Sequence, residues 1–265
     1  YSPAHTQIRM RHMTRQLLLV LLLAIGAMPV WADYSIGSCL IRVPTPPATS
    51  CPGANLSYAN LTNTDLTDAN LSNTILFQIT LTNTNLTNAN LSGVRSGGIT
   101  GTPSSLPTGW QIINGYLVGP NANLYSTNLS NADLTGANLS NIDLTGTNLS
   151  NTDLTNANLV NAILYNANLT GANLTGANLT GANLHGVRSG SIIGTPAALP
   201  PSWQLINGYL VGRSAELGSA DLTGAHLSYT DLTGANLSYA NLSNADLTSA
   251  TLSSADLTLA DLRNA

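Results

Sequence analysis

Catalytic chemistry would have to come from very few side chains in this sequence. After residue 32 there are two histidines, His185 and His226, one glutamate, Glu216, and scattered aspartates. Acid–base catalysis needs such groups to converge in a pocket, and no serine has the G-x-S-x-G spacing of a nucleophile elbow. Because His185 directly follows Leu184, it is expected on the surface rather than as a ligand. The sequence predicts no enzyme, no cofactor and no metal site.

The charge distribution excludes another large class of function. The 265 residues contain 8 Lys+Arg and 12 Asp+Glu, and none of the cations is a lysine. Binding to nucleic acid depends on a dense basic patch, which this chain lacks. We therefore expect no nucleic-acid partner.

The first segment of the chain predicts export. Three arginines precede the apolar run 17–27, and Val30-Trp31-Ala32 offers small residues for cleavage before Asp33. The run is shorter than the ~20 residues that a membrane span needs. Residues 1–32 are therefore interpreted as a signal peptide, with the residues before Met10 or Met13 preceding the true start. The expected location is periplasmic or secreted, without a membrane span after cleavage.

Two cysteines, Cys39 and Cys51, lie in the segment 33–53, which also contains the Pro-rich stretch 44–47. Disulfides are typical of exported proteins, and a metal pair would lack further ligands. We predict a Cys39–Cys51 disulfide on an N-terminal cap, with two free thiols as the alternative if the chain is not exported.

A period of five residues runs from residue 54 to residue 265. Leucine recurs at every fifth position in three blocks, 56–91, 124–184 and 217–262. The unit is A-(N/D)-L-(S/T)-x. Neither a helix nor a flat strand would bring all these leucines to one core. A chain that turns a corner once per unit does so, and each unit then needs neighbours above and below, as in a solenoid.

The run 132–139, ADLTGANL, and many like it resemble the pentapeptide-repeat proteins. The resemblance covers residues 54–265. It implies an all-β fold, a right-handed quadrilateral β-helix with four pentapeptides per coil. If the chain came from a cyanobacterium, a thylakoid-lumen location would also be open.

Two segments, near 93–121 and 186–214, interrupt the repeat and resemble each other without a gap. We expect loops at 97–109 and 190–202. Asn114-Gly115 and Asn207-Gly208 are strong hairpin signals, but the five-residue spacing of Ile112 and Leu117 favours a continued coil. Counting three coil sides in each interruption predicts that both loops leave the same side of the solenoid.

These two segments contain several of the few aromatic and cationic residues in a chain that is only 5% aromatic and 8% charged. They form two candidate copies of a binding site for a protein partner, although the tryptophans could instead only fold each loop onto the coil. The candidate residues are Arg95, Trp110, Tyr116, Arg188, Trp203 and Tyr209.

The favoured function is an exported, non-catalytic repeat scaffold or protein-interaction module, with a homodimer expected through an open coil end. One alternative uses stacked threonines, such as Thr135, Thr155 and Thr175, to bind ice or another surface. The other is the DNA mimicry by which relatives interact with gyrase. It requires one dense acidic side, and both export and the sparse, scattered acids disfavour it.

Overall fold

The computed structural model describes residues 34–36, 39–41 and 49–265. The predicted signal peptide, residues 1–32, and the Pro-rich stretch 44–47 lie outside the described residues. Eight short strands occur, and the described residues contain no helix. The strands are β1 (Tyr34–Ile36), β2 (Cys39–Ile41), β3 (Ile75–Phe77), β4 (Arg95–Gly97), β5 (Gln111–Ile113), β6 (Tyr116–Val118), β7 (Gln204–Ile206) and β8 (Tyr209–Val211).

Most of the chain is organised by single parallel bridges between residues 20 positions apart. Asn128, for example, pairs with Asn148, and Asn148 pairs with Asn168. One turn therefore consists of four five-residue segments. The bridges build four stacks, which we call ladders A to D in chain order. Ladder A contains Asn55, Ile75, Arg95, Asn123, Asp143, Ile163 and Asn183; ladder B contains Asn128, Asn148, Asn168, Arg188, Glu216, Asn236 and Asp256; ladder C contains Asp133, Asp153, Asn173 and Ile193; ladder D contains Asn138, Asn158, Asn178 and Ala198.

The repeat sequence explains the local geometry of each segment. The residue before the leucine is Asn or Asp because its side chain accepts a hydrogen bond from the backbone N–H two residues later, as Asn148 Oδ1 does from Ser150 N–H at 3.1 Å. The fifth residue is Asn, Gly or Ser in most segments because it adopts a positive φ, for example 55° at Asn151 and 65° at Gly146. This left-handed residue turns the chain into the next segment.

The repeated leucines form the core. Leu144, Leu149 and Leu154 have no solvent-exposed surface, and alanines two positions before many of the leucines are also buried. Where threonine replaces alanine, as at Thr147 and Thr152, its hydroxyl donates to a backbone carbonyl of the preceding turn, so the buried polar group is satisfied. Full burial of each leucine stabilises the fold by about 1.5–3 kcal/mol.

The predicted disulfide is confirmed. Cys39 and Cys51 are bonded, with their Cα atoms 4.9 Å apart, and both are buried. The bond attaches the hairpin of β1 and β2 to the first turn of the repeat.

The prediction that the coil continues through Ile112 and Leu117 is wrong. β5 and β6 pair in antiparallel fashion, and β7 and β8 do the same. Asn114 and Gly115 both have positive φ, 50° and 77°, as a type I′ turn requires. Ile112 and Leu117 are five residues apart because they face each other across this hairpin. The Asn-Gly signal therefore outweighed the spacing.

The predicted loops are also displaced along the chain. Thr100 and Ser105 pair with Thr80 and Asn85 of the turn below, so the beginning of the predicted loop 97–109 still belongs to the coil. The same holds for predicted loop 190–202, where Ile193 and Ala198 pair with Asn173 and Asn178. The inserted residues form the β5–β6 and β7–β8 hairpins instead. Arg188 pairs with Glu216, so this turn contains 28 residues rather than 20.

The two insertions do not leave the same side, and this prediction is wrong too. Arg95 belongs to ladder A because it pairs with Ile75, whereas the equivalent Arg188 belongs to ladder B because it pairs with Asn168. Each inserted turn holds four segments, one more than the three counted from the sequence. Thr100 and Ser105 add two segments to the ladders, whereas Ile112 and Leu117 share a single hairpin segment instead of forming two coil sides. The second insertion is consequently displaced by one segment, a quarter of a turn.

Candidate interaction surfaces

Each hairpin is attached to the coil through a serine that stands where the repeat has leucine. Ser96 follows Leu91 by five residues, and its buried Oγ accepts a hydrogen bond from Leu117 N–H at 2.8 Å. Ile99 N–H also donates to Gly115 O at 3.0 Å. The small side chain makes room for the hairpin, and the hydroxyl satisfies a backbone donor that would otherwise be buried without a partner.

The second hairpin repeats this attachment. Leu210 N–H donates to Ser189 Oγ at 2.9 Å, and Ile192 N–H donates to Gly208 O at 3.0 Å. Ser189 is again buried and stands five residues after Leu184. The two insertions are thus the same structural element, presented in two directions.

The two predicted tryptophans pack within the insertions. Trp110 is 9% exposed, and Trp203 is partly buried. A Cβ atom at Gly119 would overlap the indole of Trp110, and one at Gly212 would overlap that of Trp203. Each indole therefore covers a glycine of its own insertion and holds the hairpin to the chain that follows it.

The other four candidate residues reach the surface. Arg95 and Arg188 are exposed, while Tyr116 and Tyr209 are partly buried. Tyr209 Oη accepts a hydrogen bond from Asp221 N–H at 3.2 Å, which ties the second hairpin to the next turn. In each insertion the structure places an exposed arginine near a tyrosine and keeps the tryptophan as packing.

A shallow depression lies beside each of these tyrosines. Tyr116 lines one of about 540 Å³ together with Phe77 and Tyr58. Tyr209 lines the other, of about 450 Å³, together with Arg188 and Glu216. The first depression is aromatic and the second is polar, so the two copies of the insertion have diverged in what they present.

The predicted threonine stack exists, but its hydroxyls are occupied. Thr135, Thr155 and Thr175 follow the ladder C residues Asp133, Asp153 and Asn173. Thr155 Oγ1 donates to Asp153 Oδ1 at 2.5 Å and accepts from Asn173 Nδ2 at 2.9 Å. These hydrogen bonds tie the hydroxyls to neighbouring side chains instead of leaving them regularly available to water.

The aspartates are capped by the same short contacts. Hydrogen bonds from the hydroxyl and N–H of Thr223 lower the pKa of Asp221, and those from Thr248 lower the pKa of Asp246. Because Asp133 and Asp153 share ladder C whereas Asp143 belongs to ladder A, the acids are distributed over more than one ladder. Each of these carboxylates accepts hydrogen bonds from the threonine two residues later in its own segment.

Sequence reasoning missed one surface. Along ladder A, the residues that follow the inward position include Phe77, Tyr125 and Tyr165, all of them exposed, and then His185. On the other three ladders, this position carries no aromatic residue anywhere in 49–265. The signal was available, because dividing the sequence by turns of 20 residues aligns Tyr125 with Tyr165. The wrong side count across the insertions hid the relation to Phe77.

Within residues 34–36, 39–41 and 49–265, no group of three His, Cys, Asp or Glu side chains is arranged to hold a metal ion. The same part of the chain includes no helix with the length and hydrophobicity to cross a membrane.

Comparison with known proteins agrees with the repeat pattern. The model of the family described as pentapeptide repeats matches eight copies, which together cover residues 49–95, 122–186 and 215–264. A comparison with curated proteins gives no significant match.

Solved structures of pentapeptide repeat proteins are similar to the chain. HetL, which is involved in heterocyst differentiation regulation in the cyanobacterium Nostoc sp., is 30% identical; the match covers 80% of this chain and 88% of HetL, with a TM-score of 0.24. A protein of the Arabidopsis thaliana thylakoid lumen is 21% identical over 53% of this chain and 68% of its own, with a TM-score of 0.23. QnrB1, a plasmid-mediated fluoroquinolone resistance protein, is 16% identical over 82% and 85%, with a TM-score of 0.29.

Members of this family are generally non-catalytic, and the family fold is a right-handed β-helix. The family model covers more than half of the chain, and its matches coincide with the regular ladders on both sides of each insertion. The chain therefore belongs to the pentapeptide repeat family.

Proposed function

We propose that this protein is an exported, non-catalytic scaffold that binds a protein partner through its two hairpin insertions. In this proposal, residues 54–265 form a closed quadrilateral coil with ladders A to D as its four sides, preceded by a cap of residues 33–53. Export to the periplasm, the medium or a thylakoid lumen rests on the signal-peptide pattern, and the disulfide supports it.

The observation that carries the proposal is the duplicated serine attachment. Ser96 and Ser189 each replace a core leucine, and each accepts a hydrogen bond from the hairpin that it holds. Both hairpins are thereby fixed before any partner arrives, which reduces the entropy lost on binding. Arg95 and Arg188 stand next to these serines and are exposed. A rigid loop beside an exposed cation is a suitable contact for a partner.

The quarter-turn displacement determines how a partner binds. Because Arg95 and Arg188 lie on different ladders, a flat partner cannot contact both insertions at once. Each insertion therefore acts as one binding element, and the scaffold carries two partner molecules or one that winds around it.

Photo-crosslinking tests this proposal. A benzophenone amino acid is introduced in place of Arg95, Arg188 or, as the control, the exposed Thr135 of the segment on ladder C. Illumination in the native exported fraction is expected to label the same polypeptide from positions 95 and 188 but not from 135. Equal labelling from all three positions, or none from the two insertions, would contradict the proposal.

Two further parts of the proposal have direct measurements. Sedimentation at micromolar concentration tests the homodimer expected from the sequence, and a single boundary at the monomer mass would count against it. N-terminal sequencing of the exported protein tests cleavage before Asp33.

A further inference from the structure

The aromatic residues of ladder A form a stripe along the solenoid that smaller residues interrupt. Tyr125 is 56% exposed and Tyr165 is 46% exposed, and the described residues contain no hydrogen bond from either hydroxyl. Ile163, directly before the inward residue of its segment, adds another exposed apolar side chain. Phe77, which is on the same ladder, lies beside Gly97, and Tyr116 of the first hairpin lies close to the same glycine.

The spacing of the two exposed rings is regular. The bridges Asn123–Asp143 and Asp143–Ile163 join the segments of the two tyrosines through the segment of Thr145. Tyr125 and Tyr165 are therefore two turns apart, with Thr145 between them. Two turns at the usual separation of paired strands give a distance of about 9.6 Å along the solenoid axis. Thr145 is smaller than either ring, so the stripe presents two platforms with a lower step between them.

Polar groups without partners flank these platforms. Asn123 Oδ1 accepts from Tyr125 N–H, and Asn183 Oδ1 accepts from His185 N–H. Within the described residues, neither Asn123 Nδ2 nor Asn183 Nδ2 donates to another side chain. Asp143 uses Oδ1 for Thr145 N–H and leaves Oδ2 as an acceptor. The stripe therefore offers both donors and an acceptor beside its rings.

The charge of the stripe favours an uncharged ligand. From Asn55 to His185 along ladder A, Arg95 and Asp143 contribute one charge of each sign. The other polar side chains there are amides, hydroxyls and the imidazole of His185. An anionic or cationic polymer would find no matching field along this ladder.

We propose that ladder A binds a linear, uncharged, β-1,4-linked glycan. The C–H face of a pyranose ring is apolar and stacks on an aromatic ring, whereas the hydroxyls at its edge exchange hydrogen bonds with amides and carboxylates. In an extended β-1,4-linked chain, equivalent faces recur every second sugar, and two sugar units are close in length to the separation of the two tyrosines. The glycan lies along the axis, with alternate sugars on Tyr125 and Tyr165.

This inference goes beyond the proposed function and does not depend on it. The glycan stripe uses Tyr125, Tyr165 and their flanking polar groups, whereas the protein partner is assigned to the insertions. Loss of crosslinking at Arg95 and Arg188 would leave the glycan site standing, and loss of glycan binding would leave the scaffold function standing.

Isothermal titration calorimetry with cellohexaose and chitohexaose tests the proposal, with maltohexaose as the α-linked control. We expect one of the β-linked hexaoses to bind. The disaccharide of the same sugar is expected to bind at least tenfold more weakly, because it cannot cover both tyrosine rings. The variants Tyr125→Ala and Tyr165→Ala are expected to weaken hexaose binding at least tenfold, and Tyr165→Phe is expected to retain it.

Matched control variants keep the test decisive. Tyr239→Ala removes a tyrosine that is 62% exposed but lies outside ladder A, and it should leave hexaose binding unchanged. Unchanged melting of the two ladder A variants shows that they remain folded. The proposal is overturned if no β-linked hexaose binds, if maltohexaose binds equally well, or if Tyr239→Ala weakens binding as much as Tyr165→Ala.

Discussion

Ladders A and B have the same backbone and different surfaces. In both, residues 20 positions apart pair in parallel, and an Asn or Asp side chain caps most segments. On ladder B, the amides of Asn128, Asn148 and Asn168 also bond to each other, at 3.2 and 3.4 Å. On ladder A, Ile75, Arg95 and Ile163 interrupt any such amide stack.

The difference shows where this fold can vary without cost to its architecture. The turn is determined by the inward leucine, the capping side chain and the positive-φ corner, so the residue after the leucine is free to change. Ladder B carries Ser, Thr or Gly at that position, whereas ladder A carries Phe77, Tyr125 and Tyr165 in three of its segments. Recognition can therefore be placed on one ladder while the others remain uniform.

The largest expected effect tests whether the two ladders share one interior. Leu144→Ala, in the segment of ladder A, and Leu149→Ala, in the segment of ladder B, each remove a fully buried side chain. Both variants are expected to lower the free energy of unfolding by about 2–5 kcal/mol, because each leaves a cavity between stacked turns. Chemical denaturation measures the change. A loss confined to one of the two variants would show that the ladders differ in their core.

A second comparison concerns the serines that hold the hairpins. Ser96→Ala, on ladder A, and Ser189→Ala, on ladder B, each deprive a hairpin N–H of its acceptor. We expect a loss of about 1–3 kcal/mol in each case, because the donor stays buried. Ser130→Ala serves as the control, because it removes a partly exposed hydroxyl that makes no hydrogen bond within the described residues. Stability equal to wild type in both hairpin variants would mean that the attachment does not depend on the hydroxyl.

The amide stack of ladder B gives a smaller effect. Asn148 takes part in one capping hydrogen bond and two amide contacts, whereas Asn123 of ladder A makes only its cap. Replacement of a hydrogen-bonded side chain typically costs about 0.5–1.5 kcal/mol per bond. Asn148→Ala should therefore destabilise the protein more than Asn123→Ala. Equal melting temperatures for the two variants would show that the amide stack contributes nothing.

The smallest effect is a dependence on pH. Hydrogen bonds from Thr223 hold the pKa of Asp221 below its usual value of 3.8. A lowered folded-state pKa means that the stabilisation is present above pH 3.8 and is lost as the pH falls from there through the folded-state pKa. Asp221→Asn retains the cap without titrating, so its melting temperature should decrease less than that of wild type between pH 5 and about pH 2. An identical decrease would argue against a titrating cap.

The regular part of the fold follows from the sequence because every rule repeats. The positions of Leu144 and Leu149, the cap at Asn148 and the corner at Asn151 each restate the same five-residue pattern, so one correct unit predicts all the others. The Cys39–Cys51 bond was also predictable, because the signal-peptide pattern indicates export and exported proteins typically form disulfides.

The insertions were less predictable because two signals conflicted there. Ile112 and Leu117 satisfy both a coil spacing and a hairpin register, and only the positive φ at Asn114 and Gly115 decides between them. That choice controls the count of segments, and the count determines which ladder carries Arg188. The coil segments of Thr100 and Ser105, which lie in the predicted loop, were missed as well. The two errors together displaced the predicted position of every later side chain around the axis by one segment, including the alignment of Phe77 with Tyr125.

The displacement between the insertions also limits what duplication can produce in this solenoid. The unit that separates Arg95 from Arg188 is 93 residues long and contains 17 segments, one more than four whole turns. The hairpin of each added copy would therefore be rotated by a further quarter turn about the solenoid axis. Four copies would present the same loop in four directions. Simple tandem copying of one unit would in this way produce a solenoid that presents the same loop on all of its sides.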